Sequence, residues 1–122
     1  MHTHYSPDSD VSPEQLVARC MAVGLHCIAV TDHNTIEGAL AVQRIARFTV
    51  IIGEEIATSE GEITGLFLSK PVPSGLSPLE TVRLVKDQGG LVSLPHPFDR
   101  FRRNVIKRSS LDQLVPHIDI VE

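Results

Sequence analysis

Short apolar runs alternate along this chain with segments that carry the signals of amphipathic helices. Each apolar run has the length of a single strand, and glycine, proline or polar residues separate it from the next segment. The predicted strands cover residues 27–31, 49–52, 63–68, 91–94 and 118–121. Strands that are apolar throughout are expected where both faces of a sheet are covered. The alternation therefore favours an α/β fold with a parallel sheet or barrel.

The starts of the predicted helices are visible in the sequence. Ser-x-x-Gln at 12–15 and Ser-x-x-Glu at 77–80 have the spacing of a capping box, in which side chain and backbone satisfy each other. Between them, Thr35 or Asn34 is expected to cap a helix that runs to about residue 47. These helices would cover the faces of the apolar strands.

Length and composition narrow the classes of protein to which the chain can belong. With 122 residues, of which 42% are hydrophobic, it fits one domain spanning residues 1–122. No apolar run approaches the ~20 residues that a membrane-spanning helix needs. Cys20 and Cys27 do not form a Cys-x-x-Cys pair, so reduced thiols and a cytoplasmic location are expected. The net charge of −4 and the absence of Trp argue against broad nucleic-acid binding.

Histidines and carboxylates gather where the predicted strands end and in the segment before the first helix. They are His2, His4, Asp8, Asp32, His33, Glu54, Glu55, His96 and Glu122. Because the carboxyl ends of parallel strands meet on one face, we expect these side chains to lie together. Mixed imidazole and carboxylate ligands suit Zn²⁺, Mn²⁺ or Fe²⁺, and sites with more than one ion favour phosphoryl chemistry.

Each of these motifs alone also has a purely structural interpretation. A His-x-His pair is often incidental, residues 32–34 can be a helix-capping turn, and residues 54–55 can be an exposed acidic pair. His96 between two prolines can belong to a rigid loop. Four coincidences at strand ends of the same polarity are, however, less expected than one shared site.

Four stretches of the sequence together resemble a known family. They are His2-Thr3-His4-Tyr5-Ser6-Pro7-Asp8-Ser9, Ala29-Val30-Thr31-Asp32-His33-Asn34-Thr35, Gly53-Glu54-Glu55-Ile56 and Pro95-His96-Pro97. They resemble the PHP domain, the polymerase and histidinol phosphatase family of metal-dependent phosphoesterases, and more closely its stand-alone bacterial members than the domain attached to polymerases. The resemblance covers essentially the whole chain. It implies a distorted (β/α)7 TIM-like barrel.

The start of the chain fits the family pattern in two registers. Members open with Asp-Leu-His-x-His-Thr-x-Tyr-Ser-x-Asp-Ser, which matches residues 3–9 if His2 is the second histidine. In this favoured register a first strand precedes the chain, and His4 is a variable position. The other register pairs His2 with His4 but leaves Asp8 two residues too early. The family's last motif, Gly-Ser-Asp-x-His, is absent, so the resemblance implies a barrel without its first strand and C-terminal part.

The resemblance also implies which residues bind metal. The implied ligands are His2, Asp8, His33, Glu55, Glu62 and His96, and Asp8, His33, Glu55 and His96 are the implied catalytic residues. Glu55 is the implied bridging carboxylate, and Glu54 then points away. Glu62 falls where many members have a histidine, so it is either a substituted ligand or a turn acid.

Further residues are implied to support the ligands or the substrate. Asp32 is expected to fix the backbone or a ligand's second nitrogen, and Asn34 stands beside it. Arg100 and Arg103 belong to the basic cluster after His96, which either clamps a substrate phosphate or forms a solvated loop. Glu122 is expected to line the pocket.

The implied activity is hydrolysis of a phosphate monoester or diester by metal-activated water, with about two or three divalent ions (Mn, Zn or Fe) and no organic cofactor. The implied substrate is a phosphorylated small molecule or short nucleic acid, and no membrane partner is expected. An amidohydrolase-type metal hydrolase and a non-catalytic PHP-like scaffold are the alternatives. An open barrel exposes strand edges, so a homo-oligomer is a further expectation. These 122 residues alone are expected to have weak activity or none.

Overall fold

A computed structural model describes residues 1–97 and 105–122 of the chain, and helices and strands alternate along it. The helices are α1 (Pro13–Ala22), α2 (Glu37–Ile45), α3 (Pro78–Lys86) and α4 (Arg108–Leu114), followed by a 3-10 turn (Val115–His117). The strands are β1 (Cys27–Val30), β2 (Thr49–Thr58), β3 (Gly61–Leu66), β4 (Leu91–Leu94) and β5 (Ile120–Val121). The predicted α/β class is therefore confirmed.

The five strands form one curled, half-barrel sheet in the order β1-β2-β3-β4-β5. β1 pairs with β2 and β4 pairs with β5 in parallel, but β3 is antiparallel to both of its neighbours. The prediction of a parallel sheet is wrong at β3, because only a two-residue turn separates it from β2 and such a turn makes a hairpin. The other four strands share one direction, so their carboxyl ends meet at one edge, where β3 begins.

β2 is longer than the apolar run that predicted it. The strand was expected to end before Gly53, but it continues to Thr58 because its second half pairs with β3. Gly53 stands inside the strand because the backbone is crowded there. A Cβ at this position would lie 2.8 Å from Thr31 Cγ2 and 3.0 Å from the Gly65 carbonyl oxygen. Such a glycine marks a close approach of neighbouring strands and not the end of a strand.

Both predicted capping boxes are present. The Ser12 side chain accepts a hydrogen bond from the Gln15 N–H, and the Gln15 side chain accepts one from the Ser12 N–H. Ser77 and Glu80 make the same reciprocal pair at the start of α3. Both helices start where the sequence predicted, since a capping box needs only residues that are three apart.

The predicted cap of the second helix is confirmed in part, because the Thr35 hydroxyl accepts a hydrogen bond from the Glu37 N–H at 3.2 Å although Thr35 is not the N-cap residue. α2 begins at Glu37, and its N-cap residue, Ile36, makes no side-chain capping bond. Asn34 instead has a positive φ of 56°, and its Oδ1 accepts a hydrogen bond from the Ala57 N–H at 2.8 Å. The amide thus links the β1–α2 loop to β2. The helix also ends at Ile45, two residues before the predicted position.

The described helices pack on one face of the sheet. Side chains on that face, such as Ile56 and Ile63, are at most 1% exposed and form the centre of the core. On the other face, Glu55, Thr64 and Ser93 stand in one row, because they are register partners across β2, β3 and β4. The concave face is therefore polar next to the edge where the parallel strands end. No helix within residues 1–97 and 105–122 is long and apolar enough to cross a membrane.

Glu54 is a buried acid on the helix-covered face, opposite to Glu55. It is fully buried, and its Oε2 accepts a hydrogen bond from the Val72 N–H at 2.8 Å. Its Oε1 has no hydrogen-bond partner among the described residues. Burial raises the pKa of Glu54, and the bond from the Val72 N–H opposes part of that rise. The carboxyl thus holds the segment after β3 against β2.

Two substitutions of Glu54, by glutamine and by alanine, are expected to show separately how much its hydrogen bond and its charge contribute to the unfolding free energy. Glu54→Ala leaves the Val72 N–H without its acceptor and opens a cavity, which is expected to lower the unfolding free energy by about 2–4 kcal/mol. Glu54→Gln keeps an acceptor. Because the folded-state pKa is raised, the wild-type carboxyl loses its stabilising contribution as pH rises through that pKa, so Glu54→Gln gains on wild type with rising pH. Urea denaturation at about pH 5 and pH 8 measures this; equal losses for both variants would contradict it.

Candidate metal centre

Six side chains from five parts of the chain meet at the edge where the parallel strands end. His33 follows β1, Glu55 lies in β2, Glu62 begins β3 and His96 follows β4, while His2 and Asp8 belong to the segment before α1. The antiparallel direction of β3 is what brings Glu62 to this edge. The structure thus brings together all six residues that the sequence pointed to as metal ligands.

The first part of the cluster joins the N-terminal segment to the loop after β1. His33 Nε2 lies 3.4 Å from Asp8 Oδ2, and His2 Nδ1 lies 3.9 Å from Asp8 Oδ1. The rings of His2 and His33 are stacked, with centroids 4.9 Å apart and an interplanar angle of 25°. These three residues form one group whose ligand atoms all lie within 4.8 Å of one another.

The second part of the cluster joins β2 to β3. His33 Nδ1 lies 3.6 Å from Glu62 Oε1, and His33, Glu55 and Glu62 form a second group of the same kind. The two oxygens of Glu55 face different histidines: Oε2 lies 3.4 Å from His2 Nε2, and Oε1 lies 3.8 Å from His96 Nε2. His33 belongs to both groups, and Glu55 lies between two imidazoles.

The donor atoms fit divalent metal ions. Their nitrogen–oxygen separations of 3.4–3.9 Å are longer than good hydrogen bonds. Two ligands that each lie about 2.0–2.2 Å from a tetrahedral ion are about 3.4 Å apart, which is close to the separations found here. Neutral imidazoles mixed with carboxylates are the ligand set of Zn²⁺, Mn²⁺ and Fe²⁺ sites.

The two acids closest to the histidines respond differently to their surroundings. Burial would raise the pKa of Asp8, but the charges of His2 and His33 outweigh it and hold this pKa below its usual value. At Glu55, burial dominates and raises the pKa, assisted by the charge of Glu62 and opposed by the histidines. A cation in the cluster would favour the ionised form of both carboxyls.

A buried clamp sets the positions of His2 and His33. The carboxylate of Asp32, which is fully buried, accepts hydrogen bonds from the Thr3 N–H at 2.5 Å and from the Thr3 hydroxyl at 2.7 Å. Thr3 and Asp32 are the chain neighbours of the two stacked histidines. The clamp packs directly against Gly38 of α2. A side chain at this position would overlap the Asp32 carboxylate and the Thr3 hydroxyl. Asp32 therefore fixes the backbone beside both histidines.

Ser6 is a site residue that sequence reasoning missed. It is 2% exposed, its Oγ accepts a hydrogen bond from the His33 N–H at 2.6 Å, and this oxygen lies 3.3 Å from His2 Nδ1. If His2 carries its proton on Nδ1, it can donate a hydrogen bond to this oxygen. The other ring nitrogen, Nε2, faces Glu55 and then has a lone pair that can bind a metal. The available signal was the position of Ser6 between His2 and Asp8 in the motif.

A Ser6→Ala variant is expected to bind divalent ions about 10- to 100-fold more weakly than wild type, because both histidines lose an orienting contact. Isothermal titration with Zn²⁺ measures the change. Ser74→Ala is the matched control, because Ser74 is an exposed loop serine outside the cluster. Unchanged affinity in a folded Ser6→Ala protein would show that Ser6 does not orient the ligands.

Other predicted residues lie around the cluster or outside it. His4 is exposed, and its ring packs against Tyr5 with a centroid distance of 4.9 Å. Glu122 lines a cavity of about 350 Å³ beside His2 and His96. The predicted phosphate-binding residues, Arg100 and Arg103, lie outside the described residues.

The chain is similar to curated proteins from an archaeon. One uncharacterized protein of Methanocaldococcus jannaschii is 41% identical, in a match that covers 80% of this chain and 65% of the relative. A second from the same organism is 37% identical and covers 77% of this chain and 38% of the relative. The chain therefore spans less than two thirds of the length of these relatives.

Two solved bacterial structures share the fold. One is a protein of Bifidobacterium adolescentis, predicted to be a metal-dependent phosphoesterase, with a TM-score of 0.75 and 17% identity over 99% of this chain and 74% of that one. The other is a two-domain protein of Bacteroides vulgatus that contains a predicted PHP-like metal-dependent phosphoesterase. Its TM-score is 0.77, with 23% identity over 99% of this chain and 41% of that one.

The fold and the cluster together define a class of protein: a curled, mixed α/β sheet that carries histidines and carboxylates at the edge where its parallel strands end. The family model described as the PHP domain matches residues 1–113. The chain belongs to the PHP domain family.

Proposed function

We propose that this chain carries the metal centre of a metal-dependent phosphoesterase that hydrolyses a phosphate monoester or diester. The observation that carries the proposal is the cluster of three histidines and three carboxylates, in which five residues form two overlapping groups of potential ligands and His96 lies beside Glu55. The two structural neighbours are themselves predicted to be, or to contain, metal-dependent phosphoesterases. Overlapping ligand groups suit a site for two ions, which favours phosphoryl chemistry.

In this proposal, bound divalent ions supply an activated water and neutralise charge on the phosphoryl oxygens. Glu55, with one oxygen towards His2 and the other towards His96, is the carboxylate proposed to be shared between ions. Asp8 has a side chain that is 52% exposed and a lowered pKa, so it presents a carboxylate at the open side of the site. There it can accept a hydrogen bond from an incoming water or hydroxyl.

The finer parts of the proposal follow from the family resemblance. We propose about two or three ions of Mn, Zn or Fe, held by the six residues of the cluster, in a (β/α)7 barrel of which this sheet is a part. Arg100 and Arg103 are the proposed phosphate-binding residues. The proposed substrate is a phosphorylated small molecule or short nucleic acid, and the proposed location is the cytoplasm.

The test of this function compares the hydrolysis of a phosphoester with that of an amide by the chain loaded with Mn²⁺. We expect slow hydrolysis of p-nitrophenyl phosphate or its bis-ester that needs the metal and disappears in His96→Ala, and no hydrolysis of p-nitroacetanilide, an amide. His117→Ala is the control, because His117 lies in the 3-10 turn. Amide hydrolysis without phosphoester hydrolysis would contradict the proposal and favour an amidohydrolase-type enzyme.

A non-catalytic metal-binding module is the second candidate, because the chain covers only 65% and 38% of the two curated relatives. In that case the chain binds metal ions and inorganic phosphate but turns over neither ester. Metal-dependent turnover of p-nitrophenyl phosphate excludes this candidate.

A further inference from the structure

We propose that the concave face beside the metal centre is a binding subsite for a neutral, hydroxyl-bearing leaving group, held by Thr64 and Ser93. This inference rests on the proposed phosphoesterase function and deepens it. The side chains line the cavity of about 350 Å³ that also reaches Glu55, His96 and Glu122. The subsite would select substrates whose leaving group is a polyol or sugar over those with an apolar one.

The two hydroxyls are set beside the cluster by the register of the sheet. Glu55 in β2 pairs with Thr64 in β3, and Thr64 pairs with Ser93 in β4, so the three side chains stand side by side on the concave face. At the usual strand spacing, the hydroxyls lie about 5 and 10 Å from Glu55. A phosphorylated three-carbon polyol with its phosphate at the metal centre has the length to reach both.

The hydroxyls of Thr64 and Ser93 are not used by the described residues of the protein. Thr64 is 7% and Ser93 is 6% exposed, yet no hydrogen bond joins either side-chain oxygen to another residue within 1–97 or 105–122. Neither oxygen is among the buried side-chain atoms that lack a partner, so both oxygens are open to the cavity. Two adjacent hydroxyls that are open to a cavity and unused by the described residues are available to hydrogen-bond the hydroxyl groups of a ligand.

The walls of the cavity select the kind of ligand. The described residues that line it include the acids Glu55 and Glu122 but no lysine, arginine, phenylalanine or tyrosine. Among the described residues, the two carboxylates outnumber the one permanent cation at the wall, the Met1 ammonium, which disfavours an anionic leaving group, and no phenyl or phenol ring is present on which a nucleobase could stack. Ligand hydroxyls both donate and accept hydrogen bonds, as the hydroxyls of Thr64 and Ser93 do.

The test uses two phosphonates that are not hydrolysed and that differ only in hydroxyl groups, 2,3-dihydroxypropyl phosphonate and propyl phosphonate. Titration calorimetry on the Mn²⁺-loaded full chain is expected to show about tenfold tighter binding of the diol. Thr64→Val and Ser93→Ala are each expected to remove most of this preference, and to leave the affinity for inorganic phosphate unchanged. Thr49→Val, at an exposed position of β2, is the matched control that keeps the preference.

The outcomes separate this inference from the function on which it rests. Equal binding of the two phosphonates, or tighter binding of propyl phosphonate, would overturn the leaving-group subsite and leave the phosphoesterase proposal standing. A preference for the diol that survives both substitutions would also overturn it. If neither phosphonate nor inorganic phosphate binds the Mn²⁺-loaded chain, the proposed function itself fails.

Discussion

A His33→Ala variant is expected to lose two to three orders of magnitude in affinity for divalent ions. His33 is the only described residue that belongs to both groups of potential ligands, with Nε2 facing Asp8 and Nδ1 facing Glu62. A structural zinc site with four ligands has about 10–16 kcal/mol of binding free energy, or about 2.5–4 kcal/mol per ligand. The loss of one ligand on that scale gives the expected change. Calorimetric titration with Zn²⁺, before and after the substitution, measures it.

The control for this variant is His26→Ala, which removes an exposed imidazole at the start of β1, at the opposite end of the strand from His33. It is expected to bind Zn²⁺ as wild type does. Circular dichroism shows whether the His33→Ala protein is folded. A folded His33→Ala variant that binds Zn²⁺ as tightly as wild type would remove His33 from the metal centre.

Adding one methyl group at Gly38 is expected to cost about 3 kcal/mol or more of unfolding free energy. Helix propensity alone predicts the opposite sign, because alanine inside a helix is about 1 kcal/mol better than glycine. Here a Cβ would overlap the Asp32 carboxylate and the Thr3 hydroxyl, and would lie 3.0 Å from Asp32 Cγ. Either the clamp opens or α2 moves away from the sheet. Urea denaturation of the Gly38→Ala protein measures the loss.

Glu37→Ala is the matched control, because Glu37 is the exposed neighbour of Gly38 in the first turn of α2. A change at this surface position is expected to stay within about 0.5 kcal/mol. If Gly38→Ala were as stable as Glu37→Ala, the clamp between Thr3 and Asp32 would not depend on the close approach of the helix.

What the sequence predicts well is local. The capping boxes at 12–15 and 77–80 appear as predicted because each needs only two residues one helical turn apart. The length of β2 and the direction of β3 were wrong, since they depend on strand pairing that no single segment encodes. The prediction that β1, β2 and β4 end at the same edge of the sheet was nevertheless right. The segments that connect these strands bring the chain back to the edge where each of them begins.

In the candidate site, too, some residues are evident from the sequence alone and others gain their role only from the fold. The residues singled out as ligands carry imidazole or carboxylate groups, which are conspicuous in a sequence, and the fold brings them together. Ser6, Thr64 and Ser93 were overlooked because a hydroxyl gains its role only from its neighbours. The bond between Ser6 and His33, for example, joins residues that are 27 positions apart.

Binding of divalent ions at the edge of the sheet is central to the function proposed for this chain. Equilibrium dialysis of the purified chain against Zn²⁺ and Mn²⁺, followed by elemental analysis, tests it most directly. We expect about two ions per chain, as the two overlapping ligand groups predict. Fewer than one tightly bound ion per chain for both metals would contradict the claim and leave the cluster as a histidine and carboxylate network without a metal.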